Sequence, residues 1–282
     1  MAISAQDVKK LRDITGAGMM DCKKALSQAD GDFAKAEKIL KEMGLAAVAK
    51  RQDRATENGR VFVKSNGKKA VLLSLSCETD FVAKNKDFEK LGEDICDVVL
   101  EKGYTEVNDE LHQMVNDLIA IIKENMALEK LVVVDVAGYA ATYIHGEGSV
   151  AVLVNLSSDK SEIFDDEEFK TLAHDLALHA AAFKPQFLNE KNIDKAYEDE
   201  QKSIFQAQVE QDEKLASKPE KVKEGIINGK MQKLYSEICF EDQKFVKDDT
   251  KSVKQAIDEV AKKHGAKVAI ANYFVFQAGV KN

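Results

Sequence analysis

Residues 67–76, GKKAVLLSLS, return 81 positions later as GSVAVLVNLS at residues 148–157, and this internal repeat constrains the fold more than any other feature of the chain. The register continues without a gap. Phe62 falls on Tyr143, Phe88 on Phe169, Leu91 on Leu172, Asp94 on Asp175 and Ile95 on Leu176. Each copy reads as two strands around a glycine-containing turn, followed by a helix. A further β-rich run comes after each copy, at residues 131–136 and 268–276. The expected fold is therefore α+β, with a three-stranded antiparallel sheet backed by helices built twice.

Ahead of the repeat, Ser4 and Asp7 form a capping-box pattern, and Val8, Leu11 and Ile14 are placed on one face of a first helix. A second helix carries Met20, Ala25 and Leu26. A third carries Phe33, Ala36, Ile39, Leu40 and Met43 and is expected to close at Gly44. These three make a compact bundle, and the polar, basic stretch after it reads as a connector. The second copy holds an insertion that the first lacks. Residues 191–215 are rich in Glu, Asp, Lys and Gln, with Ile193, Tyr197, Ile204 and Val209 at roughly helical intervals. Pro219 then restarts a helix bearing Val222, Ile226 and Ile227. A thin apolar seam on two charged helices fits a projecting antiparallel hairpin, with a surface pair lying on the core as the alternative. The expected division is a helical domain and connector (1–54), a first core subdomain (55–139), a second core subdomain (140–188 and 228–282) and an inserted hairpin (189–227).

With 44% hydrophobic residues in 282, the chain can bury a full core, and its net charge of -8 is spread among mixed signs. No basic stripe offers itself to a phosphate backbone, so a protein partner is expected rather than nucleic acid. Cys22, Cys77, Cys96 and Cys239 are far apart and form no C-x-x-C pair, which fits reduced, structural thiols and no metal site. The N-terminus lacks the apolar core of a signal peptide, and no apolar run reaches the roughly 20 residues of a membrane span. A cytoplasmic protein is expected. The common nucleotide-binding and hydrolase signatures are missing, so no enzyme activity and no cofactor are expected. His174 and His179, about 140° apart on a helix, read as packing or hydrogen-bonding residues. His145 stands beside Gly146 in the turn of the second copy, where it is either a bland surface residue or a contact.

The segment CETDFVAKN (residues 77–85) links the second strand of copy one to its helix, and the matching segment of copy two is SDKSEIFDD. Glu162 there takes the place of Phe81. A fold that accepts glutamate at this point does not need an aromatic for its own core. Phe81, flanked by Asp80 and Val82, is therefore a candidate interface anchor, the alternative being a pocket particular to the first copy.

The chain resembles the elongation factor Ts family. The resemblance rests on RDITGAGMMDCKKAL (residues 12–26), TDFVA (79–83), YIHGEGSVAVLV (143–154) and HAAAFKPQFL (179–188), and it covers nearly the whole chain. It implies a ubiquitin-associated-like N-terminal bundle, two related core subdomains and a coiled-coil hairpin in the charged insertion. It further implies guanine-nucleotide exchange on elongation factor Tu, bound in its GDP and nucleotide-free forms, by dislodging magnesium. By position, Thr79, Asp80, Phe81 and Val82 would enter beside the partner's magnesium site, with Asp80 either repelling a carboxylate or accepting hydrogen bonds. Arg12, Met19 and Met20 would make a second contact, and His145 with Gly146 a third. A homodimer or a 2:2 complex stays open. The sequence ends at Lys281-Asn282 soon after its last strand, so a C-terminal helical module known in some relatives is expected to be missing. A ubiquitin-associated-like adaptor without exchange activity is the alternative.

Overall fold

The computed structural model describes residues 3–280, so the expectation about the chain end at Lys281 and Asn282 lies outside the described residues. Helices α1 (Ala5–Thr15), α2 (Met19–Gln28) and α3 (Phe33–Ala49) come first. The Ser4–Asp7 capping box is present, and Gly16 ends α1 in the left-handed conformation (φ 68°). Val8, Leu11, Ala25, Leu26 and Ala36 share a small core. Ile14, expected on the buried face, is 59% exposed. Helical geometry gives the reason: Ile14 lies about 120° around the axis from Val8, and the half-buried Thr15 takes the inward place.

Nor does α3 stop at Gly44, but continues to Ala49. Gly44 marks a close approach instead of a cap. A Cβ built there would lie 2.7 Å from the Cβ of Ala120.

Strands β1 (Asn58–Ser65) and β2 (Lys69–Cys77) form the first hairpin. The single turn α4 (Asp80–Ala83), α5 (Lys86–Lys102), α6 (Asp109–Ile122) and β3 (Met126–Asp135) follow. The sheet has the order β1-β2-β3, both pairs antiparallel, with Phe62 opposite Leu73 and Leu73 opposite Leu131. Phe62, Leu73, Leu75, Phe88, Ile95 and Leu111 make its core. Central strand β2 is buried along nearly its whole length, on both faces, which is why it reads as an unbroken apolar run rather than an alternating one.

The second copy repeats these elements in the predicted register. β4 (Tyr139–His145) begins 81 positions after β1, while β5 (Val150–Ser158) and α7 (Glu167–Phe183) match β2 and α5 at both ends. The repeated Phe88 and Phe169 are both fully buried. Then come α8 (Lys195–Gln211), the short α9 (Glu213–Ala216), α10 (Glu220–Ile238), β6 (Lys244–Phe245), β7 (Asp248–Ser252), α11 (Val253–Lys263) and β8 (Val268–Gln277), which completes a sheet of order β4-β5-β8.

Helices α8 and α10 pack on one another, and the Tyr235 hydroxyl donates to Glu198 Oε1 at 2.5 Å. The seam differs from the expected one. Phe205 is inside it, between Tyr197 and Val209, whereas Ile204 and Val222 are exposed. Tyr197, Phe205 and Val209 are spaced by multiples of four, which keeps them on one face; Ile204 is one residue off that face. The return helix α10 also runs unbroken through residue 228, and Met231, Tyr235 and Ile238 continue the seam beyond it. The β6–β7 ribbon and α11, which the periodicity did not separate, fill the stretch between α10 and β8.

The chain divides into two compact units: residues 1–135 with 144–151 and 276–282, and residues 136–143 with 152–275.

Candidate functional site

After β2, the chain makes a turn that is held from both sides. Thr79 caps α4, its Oγ1 accepting from the Val82 amide at 3.4 Å. The Thr79 amide and hydroxyl both donate to the Glu124 carboxylate, at 3.1 and 2.9 Å. Glu78, one residue earlier, accepts from the Asn125 amide at 2.6 Å and from Arg54 Nη1 at 3.3 Å. The Cys77 thiol donates to the Thr79 carbonyl at 3.2 Å. Inward, Val82 and Ala83 join the core of the first sheet. Outward, Phe81 is 83% exposed.

Burying a phenylalanine is worth roughly 1.5–3 kcal/mol, which this side chain forgoes. The second copy shows that the fold directs this position outward in any case. A 3₁₀ turn (Ser161–Asp165) stands where α4 stands in copy one, with Ile163 buried like Val82 and Glu162 exposed like Phe81. Copy two fills the position with a charge and copy one with an aromatic ring. Asp80 is exposed as well, 3.2 Å from Lys84 in an i,i+4 pair that contributes only ~0.3–0.5 kcal/mol.

The N-terminal candidates form an exposed corner. Arg12 and Met19 are exposed at the end of α1 and the start of α2, and Met20 is 75% exposed. Ile14, Met19 and Met20 are the exposed apolar side chains around the Gly16–Gly18 break, with the Arg12 charge beside them in sequence, and Gly18 caps α2 without a side-chain hydrogen bond. A Cβ on Gly16 would lie 3.3 Å from Ile121 Cδ1, so this corner rests on α6.

His145 and Gly146 sit at the tip of the β4–β5 hairpin and are both exposed. The His145 carbonyl accepts from the Ser149 amide and hydroxyl, each at 3.0 Å. Three successive residues, Gly146, Glu147 and Gly148, have positive φ. A side chain on Gly148 would meet Arg60 and Val61 of β1, so glycine allows the tip to lie against that strand. α4 packs against β1 too, which gives the Phe81 turn and the His145 tip a common support.

His179 is structural. Buried among Phe183, Phe240 and Phe245, its Nδ1 accepts from the Val246 amide at 3.1 Å, so the proton is on Nε2, which donates to Gln243 Oε1 at 2.9 Å. His174, by contrast, is exposed and meets Tyr143 edge to face. Burial pushes the Cys77, Cys96 and Cys239 thiols up to about 12, so all three are protonated at neutral pH. One set of potential metal ligands occurs among the described residues, Asp166, Glu168 and His264. Its members are already engaged: Asp166 caps α7 and lies 3.4 Å from His264 Nε2, and Glu168 pairs with Lys263.

The family model for elongation factor Ts matches residues 78–280. This chain belongs to the elongation factor Ts family. Elongation factor Ts of Treponema denticola is 48% identical over 282 residues, 99% of each chain. That of Treponema pallidum is 42% identical over the full length of both, and that of Borrelia hermsii 41% over 99% of this chain and all of its own. The family match begins after the three-helix bundle, while these relatives extend through it. Family membership places the protein among the elongation factors of translation. No helix among the described residues is long and apolar enough to cross a membrane.

Proposed function

We propose that this protein is a guanine-nucleotide exchange factor for elongation factor Tu, and that Phe81 is the wedge it drives in beside the partner's magnesium site. The observation that carries this is a phenylalanine held 83% exposed on a turn whose backbone is clamped by Glu124 and Glu78. A rigidly presented aromatic loses little conformational freedom on docking, so more of its burial appears as affinity. Arg12 with Met19 and Met20 supplies a second contact from the bundle, residues 1–54, and His145 with Gly146 a third from the hairpin tip.

The action breaks no covalent bond. A GTPase holds its nucleotide through the phosphate loop and a magnesium ion that neutralises phosphate charge. A factor that binds the deformed, metal-free site better than the filled one weakens nucleotide by the same factor, because the coupling is reciprocal. Both GDP and GTP are loosened, and their cellular ratio sets the direction of exchange. Thr79 and Val82 hold the wedge at its base, one as cap and one as core anchor. Asp80, exposed and held in its own chain only by the weak surface pair with Lys84, carries its negative charge into the contact.

The test is release of a fluorescent GDP from purified elongation factor Tu as this protein is titrated in. Substoichiometric amounts should accelerate release. Binding without any change in the release rate would assign the protein to the adaptor class instead.

A further inference from the structure

Three consecutive residues between α6 and β3 tie the Phe81 turn to the α2 corner and the connector. Lys123 pairs through Nζ with Asp21 of α2, and its carbonyl accepts from Arg51 Nε at 2.7 Å. Glu124 takes both donors of Thr79. Asn125 donates its amide to Glu78 and its Nδ2 to the carbonyls of Gln52 and Arg54, at 3.3 and 2.7 Å. The corner of α2, the connector and the Phe81 turn are thus fixed to one short segment.

The repeat shows which parts of this segment the fold requires. β3 and β8 match 142 positions apart, which sets Lys123 against Gly265 and Glu124 against Ala266. Both first members are left-handed, at φ 67° and 57°. Copy two meets that requirement with glycine, which adopts it freely. Copy one uses lysine, at a conformational cost, and gains the pair with Asp21. Copy two has no carboxylate at Ala266, and Lys160 stands in the place of Thr79. The other half of the clamp is common to both copies, since Asp159 accepts from the Lys267 amide at 2.6 Å as Glu78 does from the Asn125 amide. The Thr79–Glu124 half accompanies the exposed phenylalanine and has no counterpart where that position is a glutamate.

Resting on the exchange reading above, we infer that Glu124 and Lys123 are positioning residues of the exchange reaction: Glu124 fixes the turn that presents Phe81, and Lys123 fixes the methionine corner of α2 in the same frame. Neither needs to touch the partner. Glu124→Ala leaves the Thr79 amide and hydroxyl without their acceptor, so the turn samples other conformations and the wedge must be ordered on binding.

The experiment is a double-mutant cycle on nucleotide release. Loss of a charge-assisted hydrogen-bonded pair predicts that Glu124→Ala slows GDP release about tenfold in the parental protein and less than twofold in the Phe81→Ala background. Equal factors in the two backgrounds would overturn the inference. Glu124→Gln, which keeps one acceptor oxygen, should recover most of the rate and serves if the alanine variant does not fold. Lys123→Gly supplies an independent sign: it should raise the melting temperature while weakening partner binding, and a variant that is more stable and binds as tightly refutes the role of Lys123. A crippled Phe81→Ala beside a parental Glu124→Ala sinks the positioning role alone. Parental release by Phe81→Ala sinks the wedge and the positioning role together.

Discussion

Phe81 and Glu162 occupy the same point in two copies of one repeat, and both side chains stand in solvent. Position 81 is thus released from any duty to the core. Phe81→Ala should leave a denaturant melt within roughly 0.5 kcal/mol of the parent, as for other exposed substitutions. GDP release from the partner should fall more than about tenfold, the effect of losing an interface hot spot. Glu162→Ala should disturb neither measurement. Phe88→Ala provides the contrast, since a buried phenylalanine cut back to alanine costs about 3–5 kcal/mol. A Phe81→Ala protein that melts like Phe88→Ala would show the ring to be structural.

Met20 offers the same separation at the second contact. Its side chain is 75% exposed, so Met20→Ala should melt like the parent. Its affinity for elongation factor Tu should fall, measurably by titration calorimetry. Unchanged affinity would remove the α2 corner from the contact surface.

Gly44 tests how the bundle is seated on α6. Alanine is favoured over glycine inside a helix by about 1 kcal/mol, so Gly44→Ala should stabilise a helix that faced only solvent. Here the new methyl would arrive 2.7 Å from Ala120 Cβ, and overpacking of this kind costs typically about 1–3 kcal/mol. The net effect should be destabilising, and Ala120→Gly in the same chain should relieve it. A Gly44→Ala protein that melts higher than the parent would show that α3 and α6 can move apart freely.

The repeat made most of the core legible, because a residue that must be apolar in both copies declares its burial twice, as Phe88 with Phe169 and Ile95 with Leu176 do. Differences between the copies are equally informative, and Phe81 against Glu162 marks the candidate anchor in the sequence alone. Single-copy features were harder to read. Gly44 resembles a helix terminator in one dimension, and its use as a contact point depends on Ala120, far along the chain. In the hairpin, Ile204 and Phe205 are adjacent and both apolar, so a thin seam leaves a one-residue choice that only the partner helix settles. The clamp was invisible for a related reason. Glu124 is one charged residue among many, and only the fold brings it to Thr79.

His179 should give the protein a pH dependence of known sign. Burial disfavours the charged imidazolium and lowers the folded-state pKa, outweighing the Gln243 hydrogen bond that acts the other way. In the unfolded chain the ring titrates near its ordinary value of about 6.5. Above that pH both states hold neutral imidazole and the full stability is present. As pH falls below about 6.5 the unfolded chain takes up a proton that the folded protein refuses, so stability declines, by at most about 1.4 kcal/mol per pH unit, until the lowered folded pKa is reached. Asp242 works in the opposite direction at lower pH, because burial and then Glu190 and Glu241 raise its pKa, so the folded state binds that proton more readily. The two are separated by comparing slopes rather than stabilities. Urea melts of the parent and of His179→Gln between pH 7.5 and 5.5 should differ in slope, the variant losing the decline attributed to the ring even though its loss of stacking lowers stability at every pH. Parallel slopes would show that the ring is solvated enough to titrate normally in the folded protein.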